Sequence, residues 1–182
     1  MIIKQVFKVD YPNGHKIPFY YQSDYYYEVK VIKKNEKQGW NIDFTLKQYS
    51  ETKEFKNSEE LFEEINKENE YYIGLNDSKN VIGWLVIAPE HWNNTTRIWN
   101  IGLLHEYKRK GLGSKLMALA IEKAKKWDSR ALVLETQTTN YPAIQFYLQF
   151  GFDFSGLDLF AYSNEDLVRG QVRLEMTKLL KV

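Results

Sequence analysis

Cysteine is absent from the 182-residue chain. Disulfides, thiolate metal sites and a cysteine nucleophile are therefore excluded. Histidine is scarce: His15, His91 and His105 stand far apart with no ligand spacing, so no metal site is expected. No apolar run approaches a membrane span, and the opening MIIKQVFKVDYPNG lacks the apolar core of a signal peptide. The expectation is a soluble, cytoplasmic protein with no membrane partner. An excess of one charge is lacking too. Lys and Arg number 25 against 24 Asp and Glu, which argues against a whole-surface nucleic-acid binder. With no repeats and no low-complexity linker, the length suits a single domain over residues 1–182. What the chain does have is core material, with 43% hydrophobic and 15% aromatic residues.

Residues 1–23 read as irregular, with Pro12, Gly14 and Pro18 as breakers. YYYEVKVI and WNIDFTLKQY each alternate, and the turn NEKQG joins them into a hairpin. Asn57 and Glu60 form a capping pair ahead of SEELFEEINKENE, residues 58–70. The spacing of Leu61, Phe62 and Ile65 predicts a helix there, its many Glu side chains forming a solvated face. YYIGL and VIGWLVIA make a second hairpin around NDSKN, and IWNIGLL is a further strand. SKLMALAIEKAKKW reads as a helix with Leu116, Leu119, Ala120, Ala124 and Trp127 on one face. ALVLET is almost continuously apolar, as a central strand covered on both faces would be. PAIQFYLQF is a helix with Pro142 in its first turn, and GFDFSG, DLFAYS and QVRLEMTKLL read as strands. This order predicts a mixed α/β fold with a central sheet.

Between a strand and a helix lies KRKGLGSK. Glycines let backbone N–H groups approach a ligand, and a helix N-terminus favours an anion. Lys108, Arg109 and Lys110 add charge. The spacing is neither that of a P-loop nor of GxGxxG. On this stretch alone, a phosphate site and a plain turn capped by Ser114 both stand. The same holds further on. Asn140 serves as an N-cap by itself, Tyr147 beside Phe146 serves as a core aromatic, and Glu135 serves as a solvated or loop-bonded strand end.

Taken together, two stretches resemble the GNAT superfamily of acetyl-CoA-dependent N-acetyltransferases. The first is Lys108-Arg109-Lys110-Gly111-Leu112-Gly113, similar to [QR]xxGx[GA] with Lys in the leading place. The second is Asn140, Ala143, Tyr147, Gly151 and Phe152, a complete NxxAxxxYxxxGF. LETQTTNYPAIQFYLQFGF followed by GLDLFAYS also looks like the streptothricin acetyltransferase branch, and YYEVKVIKKNEKQGWNIDFTL resembles that branch's first hairpin more loosely.

The resemblance implies a mostly antiparallel twisted sheet with a parallel, splayed strand pair at its centre, flanked by helices. It implies acetyl-CoA as cosubstrate and no metal. The backbone from Lys108 and Arg109 through Lys110, Gly111, Leu112 and Gly113 to Ser114 would hold the pyrophosphate. Ile101, Gly102, Leu103 and Leu104 would pair with the pantetheine arm. Asn140, with Ala143 on the same helix, would contact the cofactor, and Tyr147 would protonate the departing thiolate. Many relatives carry Glu or Asp on the strand before the turn. Here Trp99 and Asn100 stand there, so Glu135 becomes the carboxylate candidate, with a water chain as the alternative. The implied reaction is direct acetyl transfer to a primary amine of streptothricin or a similar cationic antibiotic. An acidic and aromatic acceptor site would draw on Asp153, Asp158, Glu135, Tyr25, Tyr26, Tyr27 and Trp84. Other amines (an aminoglycoside, a polyamine, a protein N-terminus or lysine) and a non-catalytic acetyl-CoA-binding module are the rival readings. Superfamily members often form homodimers, so that assembly is the one to test for.

Overall fold

The computed structural model describes residues 1–34, 39–62, 69–76 and 78–181. Nine strands and three α-helices appear among them: β1 Ile2–Val6, β2 Lys16–Lys33, β3 Trp40–Glu60, β4 Glu70–Leu75, β5 Val81–Glu90, β6 Thr95–Leu103, α1 Leu112–Lys126, β7 Ala131–Gln137, α2 Tyr141–Gln149, β8 Asp153–Asp158, α3 Asp166–Arg169 and β9 Arg173–Leu179. Seven strands join one sheet in the order β1-β4-β5-β6-β7-β9-β8, and β2 pairs with β3 in a second. The pairs β1–β4, β4–β5 and β5–β6 are antiparallel, whereas β6–β7 is parallel. This is the mixed α/β class with a parallel pair inside a mostly antiparallel sheet. No described helix is long and apolar enough to cross a membrane.

The chain divides into two compact units. The first comprises residues 1–20, 55–134 and 177–182, and the second residues 21–54 and 135–176. In the first, one core cluster gathers Val6, Ile17, Leu61, Phe62, Tyr71, Ile73, Trp84 and Val86. Helix α1 buries Leu112, Leu116, Met117, Ala120 and Ala124 at helical spacing. Met117 takes the inner place that periodicity offered to Leu119. Strand β7 buries four consecutive residues from Ala131, as its unbroken apolar run predicts. In the second unit, α2 buries Ile144 and Tyr147.

Three expectations are corrected. Residues 1–23 are not irregular. β1 forms the sheet edge against β4, and β2 begins at Lys16 with Ile17, Tyr21 and Ser23 buried in alternation. Pro18 is tolerated inside a strand of a two-stranded sheet. Residues 58–60 are not a helix start but the end of β3. Tertiary bonds outcompete the capping pair: Glu60 accepts from the His15 backbone N–H, and the Leu61 N–H donates to the His15 carbonyl at 3.0 Å. The rest of that predicted helix, residues 63–68, lies outside the described residues, as do 35–38 of the first turn and 77 of the second. Finally, DLFAYS is not a strand. Asp158 accepts from the Phe160 N–H at 3.1 Å. Asp166 accepts from the Tyr162 N–H at 2.8 Å and the Ser163 hydroxyl at 2.6 Å, which folds the segment into a turn before α3.

Candidate functional site

Within the first unit, β6 changes character halfway along. Its register with β5 runs from Glu90↔Thr95 to Ile87↔Ile98, then shifts so that Val86 faces Asn100. Trp99 is the extra residue, a β-bulge of the kind that re-aims side chains. The parallel ladder with β7 covers Thr95↔Ala131 to Ile98↔Leu134. Residues 99–103 therefore keep β5 on one side and run on past the ladder on the other. That stretch contains Ile101, Gly102 and Leu103. The Leu104 N–H returns to the Ile82 carbonyl at 3.0 Å.

Gly102 has a packing reason. A Cβ there would lie 2.3 Å from Trp84 Cζ2, so the Trp84 ring, 1% exposed, lies against bare backbone. Its indole Nε1 donates to Asn100 Oδ1 at 2.7 Å. An indole nitrogen can only donate, so Asn100 turns its oxygen to Trp84 and its Nδ2 outward, where it donates to the Glu59 carboxylate. Trp99 Nε1 is buried without a partner among the described residues, and Arg97 sits over its ring at 5.5 Å.

After the 3-10 turn His105–Tyr107 the chain reaches the basic stretch. Lys108 donates its Nζ to the Tyr20 carbonyl at 2.6 Å, and burial holds its pKa below the ordinary lysine value. Its ammonium is thus tied to β2. Arg109 has φ +60° and Gly111, the N-cap of α1, φ +84°. A Cβ on Gly111 would meet nothing within 4 Å, so glycine is there for its backbone angle. The helix starts at Leu112, which puts Gly113 and Ser114 inside its first turn. Ser114 is therefore not the cap. No acidic residue stands in that turn, and Lys110 lies over the Tyr107 ring at 5.2 Å. Left-handed residues ahead of a helix N-terminus with no acid in its first turn are a backbone arrangement suited to an anion.

Within the second unit, Asn140 is 7% exposed and caps α2, its Oδ1 accepting from the Ala143 N–H at 3.3 Å. Tyr147 is also 7% exposed, with the rings of Phe146 and Phe152 5.7 and 6.0 Å away. Glu135 pairs with Arg173 at 2.7 Å, and Arg173 also holds Glu175 at 2.9 Å. Tyr162 accepts from Gln137 at 3.2 Å, and burial above all pushes its pKa up to about 12. Of the aromatics expected at the acceptor site, Tyr25 and Tyr27 lie 5.2 and 6.2 Å from the Tyr141 ring, and Phe44 stacks on Tyr27 at 4.4 Å. Tyr26 stacks instead on Tyr49. Trp84 is buried in the first unit. Asp153 accepts from the N–H of its neighbour Phe154 at the start of β8. Among the described residues, no group of three or more His, Asp or Glu side chains could hold a metal ion.

The Glu59–Asn100–Trp84 chain escaped the sequence reading. Glu59 is 41 residues from Asn100 and sits in a run that looks like a solvated face. Yet Glu59 meets Asn100, Glu60 meets His15, and Glu70 meets Lys123 at 2.9 Å.

A model of the acetyltransferase (GNAT) family matches residues 40–152. The streptothricin acetyltransferase of Escherichia coli is 39% identical over 87 residues, 46% of this chain and 48% of that protein. Streptothricin acetyltransferase A of Bacillus subtilis (strain 168) is 36% identical over 94 residues, 52% and 51% of the two chains. The chain thus spans about half the length of the curated relatives it matches. Among solved structures, one is the acetyl coenzyme A complex of a protein from Bacillus anthracis str. Ames provisionally named a streptothricin acetyltransferase. It is 25% identical with a TM-score of 0.75, covering 98% of this chain and 99% of that one. Nourseothricin acetyltransferase shares the fold at 20% identity and a TM-score of 0.75, covering 98% and 97%.

Proposed function

The chain belongs to the acetyltransferase (GNAT) family, and we propose that it moves the acetyl group of acetyl-CoA onto a primary amine of streptothricin or a similar cationic antibiotic. The observation that carries this reading is the turn heading α1. Arg109 and Gly111 are left-handed there, and no acid opposes an anion in the first helical turn. The curated relatives named above supply the antibiotic.

Acetyl-CoA supplies an activated acetyl thioester. Everything else falls to the residues. The amides from Arg109 to Ser114 hold the pyrophosphate. The backbone of residues 101–104 pairs with the pantetheine arm, since β6 continues past its ladder with β7. Lys108 anchors the turn to β2 rather than touching phosphate. Asn140 orients α2 through its cap at Ala143, and Tyr147 supplies the proton for the leaving thiolate. A free alkylamine is protonated at pH 7, so a proton must pass from the acceptor to Glu135 or to a water chain before the amine attacks. No covalent enzyme intermediate is required and no cysteine is present to form one, so the reading is direct transfer in a ternary complex. Acetyl-CoA places the enzyme in the cytoplasm, and sedimentation would show whether it is a homodimer.

The test is release of free coenzyme A thiol from acetyl-CoA with streptothricin as acceptor, beside wells of aminoglycosides, polyamines and lysine peptides. Turnover with streptothricin is the expected result. Turnover only with another amine would keep the transferase and discard the antibiotic, and silence in every well would discard both.

A further inference from the structure

We infer that Glu59 is the carboxylate that receives the cationic amine of the acceptor, a role that rests on the transferase reading above. β6 carries Asn100 directly after the bulge at Trp99 and directly before the stretch assigned to the pantetheine arm. Asn100 brings no charge of its own. Its oxygen is taken by the indole of Trp84 at 2.7 Å, which fixes the amide so that Nδ2 donates to Glu59. The donor-only indole therefore sets the orientation of the whole chain of contacts. The next two residues beyond Glu60, Leu61 and Phe62, are each 3% exposed and belong to the same cluster as Trp84, with Trp99 packed against it. A half-buried carboxylate is thus brought from the end of β3 to the bulge of β6 and aimed by a side-chain amide. The chemistry it suits is an ammonium group on a small molecule. Such a group offers N–H donors to the carboxylate and gains charge-assisted hydrogen bonds that a neutral amine or alcohol cannot match.

The roles of Glu59 and of the family chemistry separate by experiment. Streptothricin is titrated calorimetrically into the enzyme saturated with coenzyme A, using wild type, Glu59→Gln and Glu59→Asp. Gln keeps the shape and removes the charge. It should weaken streptothricin binding by roughly tenfold to a hundredfold, the worth of a hydrogen-bonded charge. Asp should recover part of that loss, and coenzyme A affinity should not change in either. Streptothricin binding within twofold of wild type in Glu59→Gln would overturn the assignment. So would equal losses in Gln and Asp, or a Gln variant that no longer folds, which would make Glu59 structural. Wild-type enzyme that binds no cationic amine, with spermidine as the second probe, would overturn it as well. Binding without acetyl transfer would sink the transferase reading and leave Glu59 as an amine-binding residue.

Discussion

Replacing Gly102 by Ala tests the arrangement on which the β6 bulge depends. The added Cβ would lie 2.3 Å from Trp84 Cζ2, 2.5 Å from Cε2 and 2.9 Å from Nε1, all atoms of one rigid ring. Trp84 is 1% exposed and its Nε1 is bonded to Asn100 at 2.7 Å, so it can yield only by leaving its place. Overpacking of this kind costs about 1–3 kcal/mol, and a buried indole N–H torn from its acceptor costs about 1–3 kcal/mol more. For a chain of this size each kcal/mol moves the melting temperature by about 2–4 °C, so a loss of roughly 4–24 °C is expected. Thermal melts followed by circular dichroism give the number, and a red shift in tryptophan emission would report the displaced ring. Gly156→Ala is the control, because its Cβ would meet only the Glu175 Cβ at 3.8 Å, an ordinary contact. The reasoning is refuted if Gly102→Ala melts within about 2 °C of wild type, or falls no further than Gly156→Ala.

Tyr147→Phe should lower kcat by about a hundredfold or more if its hydroxyl is the general acid, with acetyl-CoA binding kept; an unchanged kcat would return Tyr147 to the core. Burial first, and donation to Glu70 second, push the Tyr72 hydroxyl from the ordinary 10.0 up to about 12. The folded state therefore holds this proton where the unfolded chain has lost it, so stability falls as pH rises from 10 towards 12. Urea midpoints for Tyr72→Phe should show a shallower fall than wild type across that window. Asn100→Asp keeps an acceptor for Trp84 but sets a second carboxylate against Glu59, which raises the proton affinity of the pair. Its melting temperature should lie further below wild type at pH 8 than at pH 5, and equal deficits at both would contradict the placement of Glu59.

The parts legible in the sequence are those made by neighbours along the chain. The glycine-containing turn ahead of α1, the stripe of α1, and the cap of α2 by Asn140 each need fewer than twenty consecutive residues. Their periodicity and turn chemistry survive in the string of letters. Strand alternation also located β2 and β3 but understated both: β2 begins at Lys16, across Pro18, which reads as a breaker, and β3 runs on past Tyr49 through mostly exposed positions with no apolar rhythm. The helix expected at residue 58 followed sound local rules. It failed because His15, 45 residues away, offers Glu60 a backbone partner that a capping box cannot match. DLFAYS failed for a nearer reason, since Asp158 and Asp166 each bond a backbone N–H within four residues.

The acceptor side is illegible for a different reason. Taken alone, Asn100 is an uncharged residue where many relatives place a carboxylate, and the missing charge looks like a missing function. The structure gives the same letter another meaning, because an amide has two ends and a carboxylate has one kind. Facing Trp84 Nε1 with its oxygen, Asn100 has a donor left to give. An Asp there would have met Glu59 with its own charge. Asparagine is thus the side chain that lets β6 keep its buried indole bonded while a carboxylate approaches from β3. Charge moved between strands preserves the electrostatics and erases the motif, since nothing in the spacing of Glu59 marks it out from Glu60 beside it. Glu135, at the end of β7, is the other carboxylate to compare, and it meets the cation of Arg173 at 2.7 Å. Glu59→Gln and Glu135→Gln, assayed side by side for streptothricin affinity, therefore ask which of two strands carries the negative charge the acceptor needs.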